Sequence, residues 1–209
     1  MKDDPRHNRL RLLIKNLNKE RKKQANQINV LCHGLVAAQK EFIKALANIS
    51  FAADFYEALL EAPDLNTLLA NSAGLIQRVS PQVSIFFLLL TEHTYELHKF
   101  ESEPPMNIHK HDIRSWFTGE LVANICRLNK TCNLADMYPM GLQAGQSVLN
   151  KVSLSTIPLT HNGSSLGFTV LCSQREEELS KSKVNQLMVM APGLSKAIRA
   201  KRPQPIVAK

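Results

Sequence analysis

The first sixty residues carry a helical repeat of apolar positions. Apolar residues recur at alternating spacings of four and three between positions 10 and 59, interrupted only by Arg21 and Gln24, with no proline in between. A repeat sustained over this length predicts a long, coiled-coil-like helix that buries one side against a partner. We expect this side to form a homodimer seam, with Ile28, Leu31, Leu35, Phe42, Ile49 and Tyr56 as its residues. The alternative is that its last turns, residues 42–60, pack on the chain's own sheet.

The next stretch of sequence predicts a second helix and a pair of strands. Pro63 ends the first helix, and Asp64 is a suitable N-cap for a helix over residues 65–79. Residues 83–90 are almost wholly apolar, which predicts a strand buried on both faces, and residues 95–100 alternate as its half-buried partner.

The second half of the chain predicts a helix, a short strand, a hairpin and a closing helix. Residues 111–128 have helical character, and residues 131–137 read as a short strand. Two β-rich runs flank Asn162 and Gly163, a dipeptide that favours a tight hairpin because both residues accept a positive φ. The closing helix, from residue 179, contains Pro192 and Gly193, which we expect to kink or break it.

Basic residues are concentrated at the two ends of the sequence. Residues 1–30 hold nine Lys or Arg and three acids, residues 31–180 hold ten and fifteen, and residues 181–209 hold seven and none. The ends are therefore positive and the middle mildly negative. Such ends can contact an acidic protein or nucleic acid, although solvated helix ends would look the same.

Several functional classes find no support in the composition. The longest apolar run is too short to span a bilayer, so we expect no membrane insertion, and the first residues lack the apolar core of a signal peptide. Four irregularly spaced cysteines indicate neither a disulfide framework nor a zinc site and fit a reducing cytoplasm. The pair His109 and His111 has metal-ligand spacing, but a polar loop is the simpler interpretation. No residue pattern identifies a cofactor.

Three segments resemble the GAF domain family. Residues 117–137, FTGELVANICRLNKTCNLADM, are similar to its helix-to-strand stretch; residues 154–173, LSTIPLTHNGSSLGFTVLCS, to its last hairpin; and residues 179–198, LSKSKVNQLMVMAPGLSKAI, to its closing helix. The resemblance implies an α+β fold with an antiparallel sheet of five or six strands covered by helices. We therefore expect a basic long helix over residues 1–50, a GAF-like domain over 51–200 and a loose basic tail over 201–209.

The family's ligand cavity lies between the sheet and the segment that joins the second strand to the fourth. The resemblance thus implies an apolar pocket with Ser153 and Ser155 as orienting hydroxyls from the sheet. The alternative is that the sole Trp is simply buried in a core. Its other candidate lining residues are Ile113, Trp116, Phe117, Leu121, Leu134, Met137, Tyr138 and Met140. An aromatic and Met-rich lining suits a small apolar ligand, whose identity the sequence leaves unknown.

The resemblance also implies a class of function. We expect a stand-alone, non-enzymatic sensory or regulatory protein that binds a small molecule or signalling partner and signals through its helical dimer seam. One alternative is a ligand-free scaffold whose basic ends bind nucleic acid or an acidic protein. Another is a thiol reductase of free methionine sulfoxide that uses Cys126 and Cys132. Cyclic-nucleotide binding is disfavoured, because Asn129 and Lys130 match the family signature but no acidic pair follows Phe168.

Overall fold

The computed structural model describes residues 5–92, 94–106, 108–145 and 149–202. The chain divides after Ser50 into two compact units. Helix α1, Pro5–Glu61, supplies all described residues of the first unit and continues into the second. Most of the tail expected over 201–209 lies outside the described residues.

The second unit is built around a five-stranded antiparallel sheet. Its strands are β1 (Ser84–Leu90), β2 (Tyr95–Phe100), β3 (Cys132–Asn133), β4 (Val152–His161) and β5 (Ser164–Gln174), in the order β2-β1-β5-β4-β3. The helices are α2 (Leu65–Val79), α3 (Lys110–Trp116), α4 (Gly119–Leu128), α5 (Leu134–Met137) and α6 (Lys181–Lys201). The predicted α+β class, antiparallel sheet and long first helix are therefore confirmed.

Side chains alternate between two cores on opposite faces of the sheet. In β1, Ile85 and Phe87 belong to one core and Phe86 and Leu88 to the other. The first core also holds the end of α1, from Phe51 onward, together with α2 and α6. The second core holds α3, α4 and α5. Because β1 is covered on both faces, its sequence is apolar from Ile85 to Leu90 rather than alternating.

The helix predicted over residues 111–128 is wrong in one respect, because it is two helices. Helix α3 ends at Trp116, and Thr118 begins α4 by accepting a hydrogen bond from the Leu121 backbone N–H at 3.3 Å. Thr118 adopts extended backbone geometry, which a continuous helix does not allow. The break turns both Trp116 and Leu121 toward the same core.

The strand predicted over residues 131–137 contains only Cys132 and Asn133. The side chain of Asn133 accepts from the Asp136 N–H at 3.0 Å, and the Asp136 carboxylate accepts from the Asn133 N–H at 2.9 Å. This reciprocal capping starts the short helix α5.

The break expected at Pro192 and Gly193 is also wrong, since α6 runs continuously from Lys181 to Lys201. Its inward residues Leu187, Leu194 and Ile198 are buried on both sides of the proline, while Pro192 itself faces solvent. Packing of this apolar stripe on the sheet stabilises a helix that the proline alone would weaken.

Candidate functional site

The residues predicted to line an apolar pocket gather mainly in the second core. Ile113, Trp116, Phe117, Leu121 and Met137 are all buried there, at 7% exposure or less. The rings of Phe117 and Phe168 lie 5.8 Å apart between centroids, which joins this group to β5. These side chains thus form a packed wall against the sheet.

Three further predicted residues lie at the margin of this wall. Leu134 and Met140 pack against it while partly exposed, and Tyr138 is 42% exposed. The carbonyl of Met140 accepts a hydrogen bond from Asn124 of α4 at 3.3 Å. This bond ties the segment after α5 to α4 and fixes the outer side of the wall.

Ser153 and Ser155 lie on the opposite face of β4 from the predicted wall. Val152 and Leu154, which alternate with the two serines along β4, belong to the second core. Ile157 lies on the same face of β4 as the serines and belongs to the first core. The structure therefore does not bring these hydroxyls together with Trp116 or Leu121. Both serines are half-buried and line open clefts instead.

The first of these clefts, of about 410 Å³, lies beside the start of β4. Leu134 of α5 and Tyr138, which directly follows α5, line it on one side, and Ser153 lines it from β4. Arg175 and Glu178, which follow β5, add charge to this mostly apolar surface. We call it the β4 cleft. Three of the ten predicted pocket residues therefore meet here.

The second cleft, of about 240 Å³, adjoins the β4 cleft through Asn133 and Glu178, which line both. Ser155 and Cys132 line it from the sheet, and Lys181 lines it from the first turn of α6. We call it the α6 cleft. Neither Arg175 nor Glu178 nor Lys181 has an ion-pair partner among the described residues. Both signs of charge are thus available to a polar ligand.

The charged lining of the two clefts was missed by the sequence argument. The pairing of β4 with β5 determines where Arg175 lies. Val152 pairs with Gln174, and the Arg175 N–H donates to the Lys151 carbonyl at 3.0 Å. Counting back from the Asn162–Gly163 turn would have placed Arg175 beside the start of β4. The contribution of α6 depends on tertiary packing, for which the local sequence carries no signal.

Cys132 and Cys172 are buried and Cys126 is partly buried, and burial raises the pKa of all three thiols. Burial raises the pKa of the Cys126 thiol, although a hydrogen bond with Ser165 lowers it somewhat. Burial likewise raises the pKa of Cys132, and it raises that of Cys172 to about 12. A thiolate nucleophile requires the opposite shift.

His109 and His111, interpreted above as part of a polar loop, lie at the start of α3, because His109 is the N-cap and His111 is in the first turn. The Asp112 carboxylate accepts from the His109 backbone N–H at 2.7 Å and so caps α3. Within the described ranges, no three His, Cys, Asp or Glu side chains converge in a way that could hold a metal ion.

The residues predicted for the dimer seam lie on α1. Ile28, Leu31, Leu35, Phe42 and Ile49 are 59–71% exposed in the single chain. Tyr56 is 44% exposed and packs against its own chain, because a Cβ at Gly193 of α6 would lie 2.3 Å from its ring. The alternative of internal packing holds for the neighbouring Phe55, which is buried in the first core.

None of the helices in the described ranges is apolar over enough of its length to cross a bilayer. The basic residues of α1, from Arg9 to Lys23, are exposed. Apart from Glu20, the charged residues of this segment are all positive.

Comparison with known proteins identifies the architecture. No protein-family model matches the sequence, and no curated protein matches it. Among solved structures, the GAF domain of a phosphoenolpyruvate-protein phosphotransferase from Coxiella burnetii is similar at 15% identity and a TM-score of 0.56, over 75% of this chain and 95% of that one. The corresponding domain from Acinetobacter gives 13% identity and 0.55, over 73% and 92%.

A third similar structure is the type II free methionine-R-sulfoxide reductase of Thermoplasma acidophilum. It shares 14% identity and a TM-score of 0.50, over 66% of this chain and 94% of that one. The sheet order, the two cores and these similarities agree on one conclusion: the chain has the fold of a GAF domain.

Proposed function

We propose that this protein is a non-enzymatic sensory or regulatory protein that binds a small molecule or partner and signals through a homodimeric helix seam. The observation that carries the proposal is the row of exposed apolar residues on α1. Burying a Leu, Ile or Phe side chain stabilises by about 1.5–3 kcal/mol, so five such residues per chain can offset the cost of association. A ligand that binds more tightly to one arrangement of the seam would increase the fraction of molecules in that arrangement.

The ligand site in this proposal is the β4 cleft with the adjoining α6 cleft. Its volume of about 410 Å³ is within the range of small-molecule pockets. The apolar part is supplied by Leu134 and Tyr138, and Ser153, Arg175 and Glu178 supply polar groups that could orient a ligand.

The seam is tested by the double substitution Leu35→Asp with Ile49→Asp. Two carboxylates per chain in the seam should give monomers in sedimentation equilibrium. The matched control is Ala37→Asp with Ala47→Asp, which adds the same charge at exposed positions on the side of α1 away from the seam and should leave the dimer intact. A dimeric Leu35→Asp, Ile49→Asp protein would contradict the proposal. Native mass spectrometry of the unaltered protein reports stoichiometry and any bound small molecule together.

A non-enzymatic role is supported by the thiols. A reductase of free methionine sulfoxide needs a thiolate at neutral pH, and the burial of Cys126, Cys132 and Cys172 opposes this. Incubation with free methionine sulfoxide and a thiol reductant should therefore leave the sulfoxide unchanged. Its consumption would show that the protein is an enzyme.

The exposed basic start of α1 favours a second candidate, a scaffold that binds nucleic acid or an acidic protein. Nucleic-acid binding would weaken steeply with salt, because each neutralised phosphate releases a counterion. Fluorescence anisotropy with labelled DNA and RNA across a salt series distinguishes the two functions. Loss of binding on charge reversal of Lys22 and Lys23, with the dimer retained, would favour the scaffold.

A further inference from the structure

The size of the seam residues on α1 alternates regularly. Leu35, Phe42 and Ile49 follow one another at seven-residue intervals, and Ala38, Ala45 and Ala52 occupy the intervening positions of the same repeat. The large members are exposed in the single chain, as are Ala38 and Ala45. Between Leu35 and Ala52, every second layer of the seam is therefore small.

Two parallel helices in register would pack this seam unevenly. Each layer of a parallel pair contains the same residue from both copies, so a Phe42 layer would lie between Ala38 and Ala45 layers. The large layers would hold the helices apart, and the alanine layers would be left with gaps. Close packing requires large residues opposite small ones.

Two antiparallel helices would pack the same seam evenly. When residue 40 of one helix lies beside residue 40 of its partner, the two residue numbers of each facing pair add up to 80. Leu35 then faces the partner's Ala45, and Phe42 faces the partner's Ala38. Ile49 then faces the partner's Leu31. The layers between residues 35 and 45 thereby each pair a large residue with an alanine, so the helices can approach closely over this central part of the seam.

Charge along α1 favours the same direction. Residues 5–23 hold eight Lys or Arg and one Glu, whereas residues 24–61 hold two Lys and four acids. Parallel pairing would place two strongly basic segments side by side. Antiparallel pairing separates them, and it brings Lys23 to the level of the partner's Glu57 and Lys19 to the level of the partner's Glu61.

We propose that α1 pairs with α1 of a second copy in antiparallel orientation, with the overlap centred on residue 40. This inference rests on the homodimer of the proposed function and specifies its geometry. In such a dimer, the two GAF-fold domains follow the paired helices at opposite ends.

Disulfide mapping tests the orientation. In a Cys32→Ser background, which removes the exposed native thiol of α1, Leu35→Cys and Ala45→Cys are introduced together and the protein is oxidised. Facing cysteines are within bonding range only if their Cβ atoms are about 3.5–4.5 Å apart. Trypsin cleaves after Lys40 and Lys44, so the two cysteines separate into different peptides. The expected result is a covalent dimer whose peptides are joined between positions 35 and 45.

The single variants supply the controls. Leu35→Cys alone and Ala45→Cys alone, each in the Cys32→Ser background, should give no covalent dimer. Disulfides between identical positions, or a sedimenting dimer in which 35 and 45 do not crosslink, would overturn the antiparallel arrangement and leave the proposed homodimer standing. A monomeric Cys32→Ser protein would overturn both.

Discussion

At the scale of single residues, Gly167 is a position with little tolerance for substitution. It lies in β5 with a φ of +128°, and a Cβ there would be 1.9 Å from the Leu88 carbonyl oxygen of β1. Gly167→Ala should therefore destabilise the fold through backbone strain of about 1–3 kcal/mol and overpacking of about 1–3 kcal/mol. Urea unfolding measures the loss.

Gly74 provides the matched control for this substitution. It lies in α2 with nothing within 4 Å of an added Cβ. Gly74→Ala should raise the free energy of unfolding by up to about 1 kcal/mol, because alanine favours a helix. Equal effects at Gly74 and Gly167 would show that the close approach of β5 to β1 is not the cause.

The thiols provide a second prediction at this scale. Cys32 is exposed, whereas Cys172 is buried with a pKa raised to about 12. A disulfide reagent at neutral pH should label Cys32 rapidly in the native protein and Cys172 only after unfolding, since thiolate and access are both required. Peptide mapping identifies the labelled residues. Rapid native labelling of Cys172 would contradict the buried position.

His98 should make stability depend on pH. Burial is the main cause that lowers its pKa below 6.5, and its Nε2 lies 3.8 Å from the Glu96 carboxylate. The unfolded chain therefore binds this proton more readily than the folded one. The stabilisation is present above the ordinary histidine pKa and is lost as pH falls through the folded value. Urea midpoints should fall over this window, and less so in His98→Gln; identical slopes would exclude this cause.

At the scale of elements, capping residues determine where the helices of the second core begin. Thr118 caps α4 through the Leu121 N–H. Thr118→Ala should lower stability by about 1 kcal/mol, with little change from Thr118→Ser, because serine retains the accepting oxygen. Thermal or urea unfolding compares the variants. A similar loss in Thr118→Ser would attribute the effect to the lost methyl group instead.

The same caps explain why two element boundaries differ from those predicted from the sequence. The resemblance to the GAF family pointed to Ile113, Trp116 and Leu121 as parts of one wall, but the sequence did not reveal the break that Thr118 introduces between α3 and α4. The Asn133 and Asp136 pair was a readable capping box, and β-rich neighbours obscured it. Conversely, α2 begins and ends at the predicted residues, 65 and 79. Asp64 caps its start as expected, with the Thr67 N–H donating to its carboxylate at 2.9 Å.

At the scale of the whole molecule, the order of elements was predictable and the position of the clefts was not. The hairpins account for the β1–β2 and β4–β5 pairs, whereas the β1–β5 and β3–β4 pairs join segments that are distant in the sequence. The GAF-like segments imply which helices cover the sheet. The face of Ser153 depends on which core receives Val152, and that depends on packing between distant segments. The charged groups at Arg175 and Lys181 reach the clefts for the same reason.

The outer edge of the sheet remains partly open. Strand β3 pairs only with Ser155 and Thr156, so no described strand covers the remainder of β4, where Pro158 lies. A bare strand edge can recruit strands from other molecules and seed aggregates, and a proline, which has no N–H to offer, disfavours this. Pro158→Val should therefore increase light scattering at temperatures where the unaltered protein remains clear, while its urea midpoint changes little. Pro158 would then protect the protein's solubility rather than its stability.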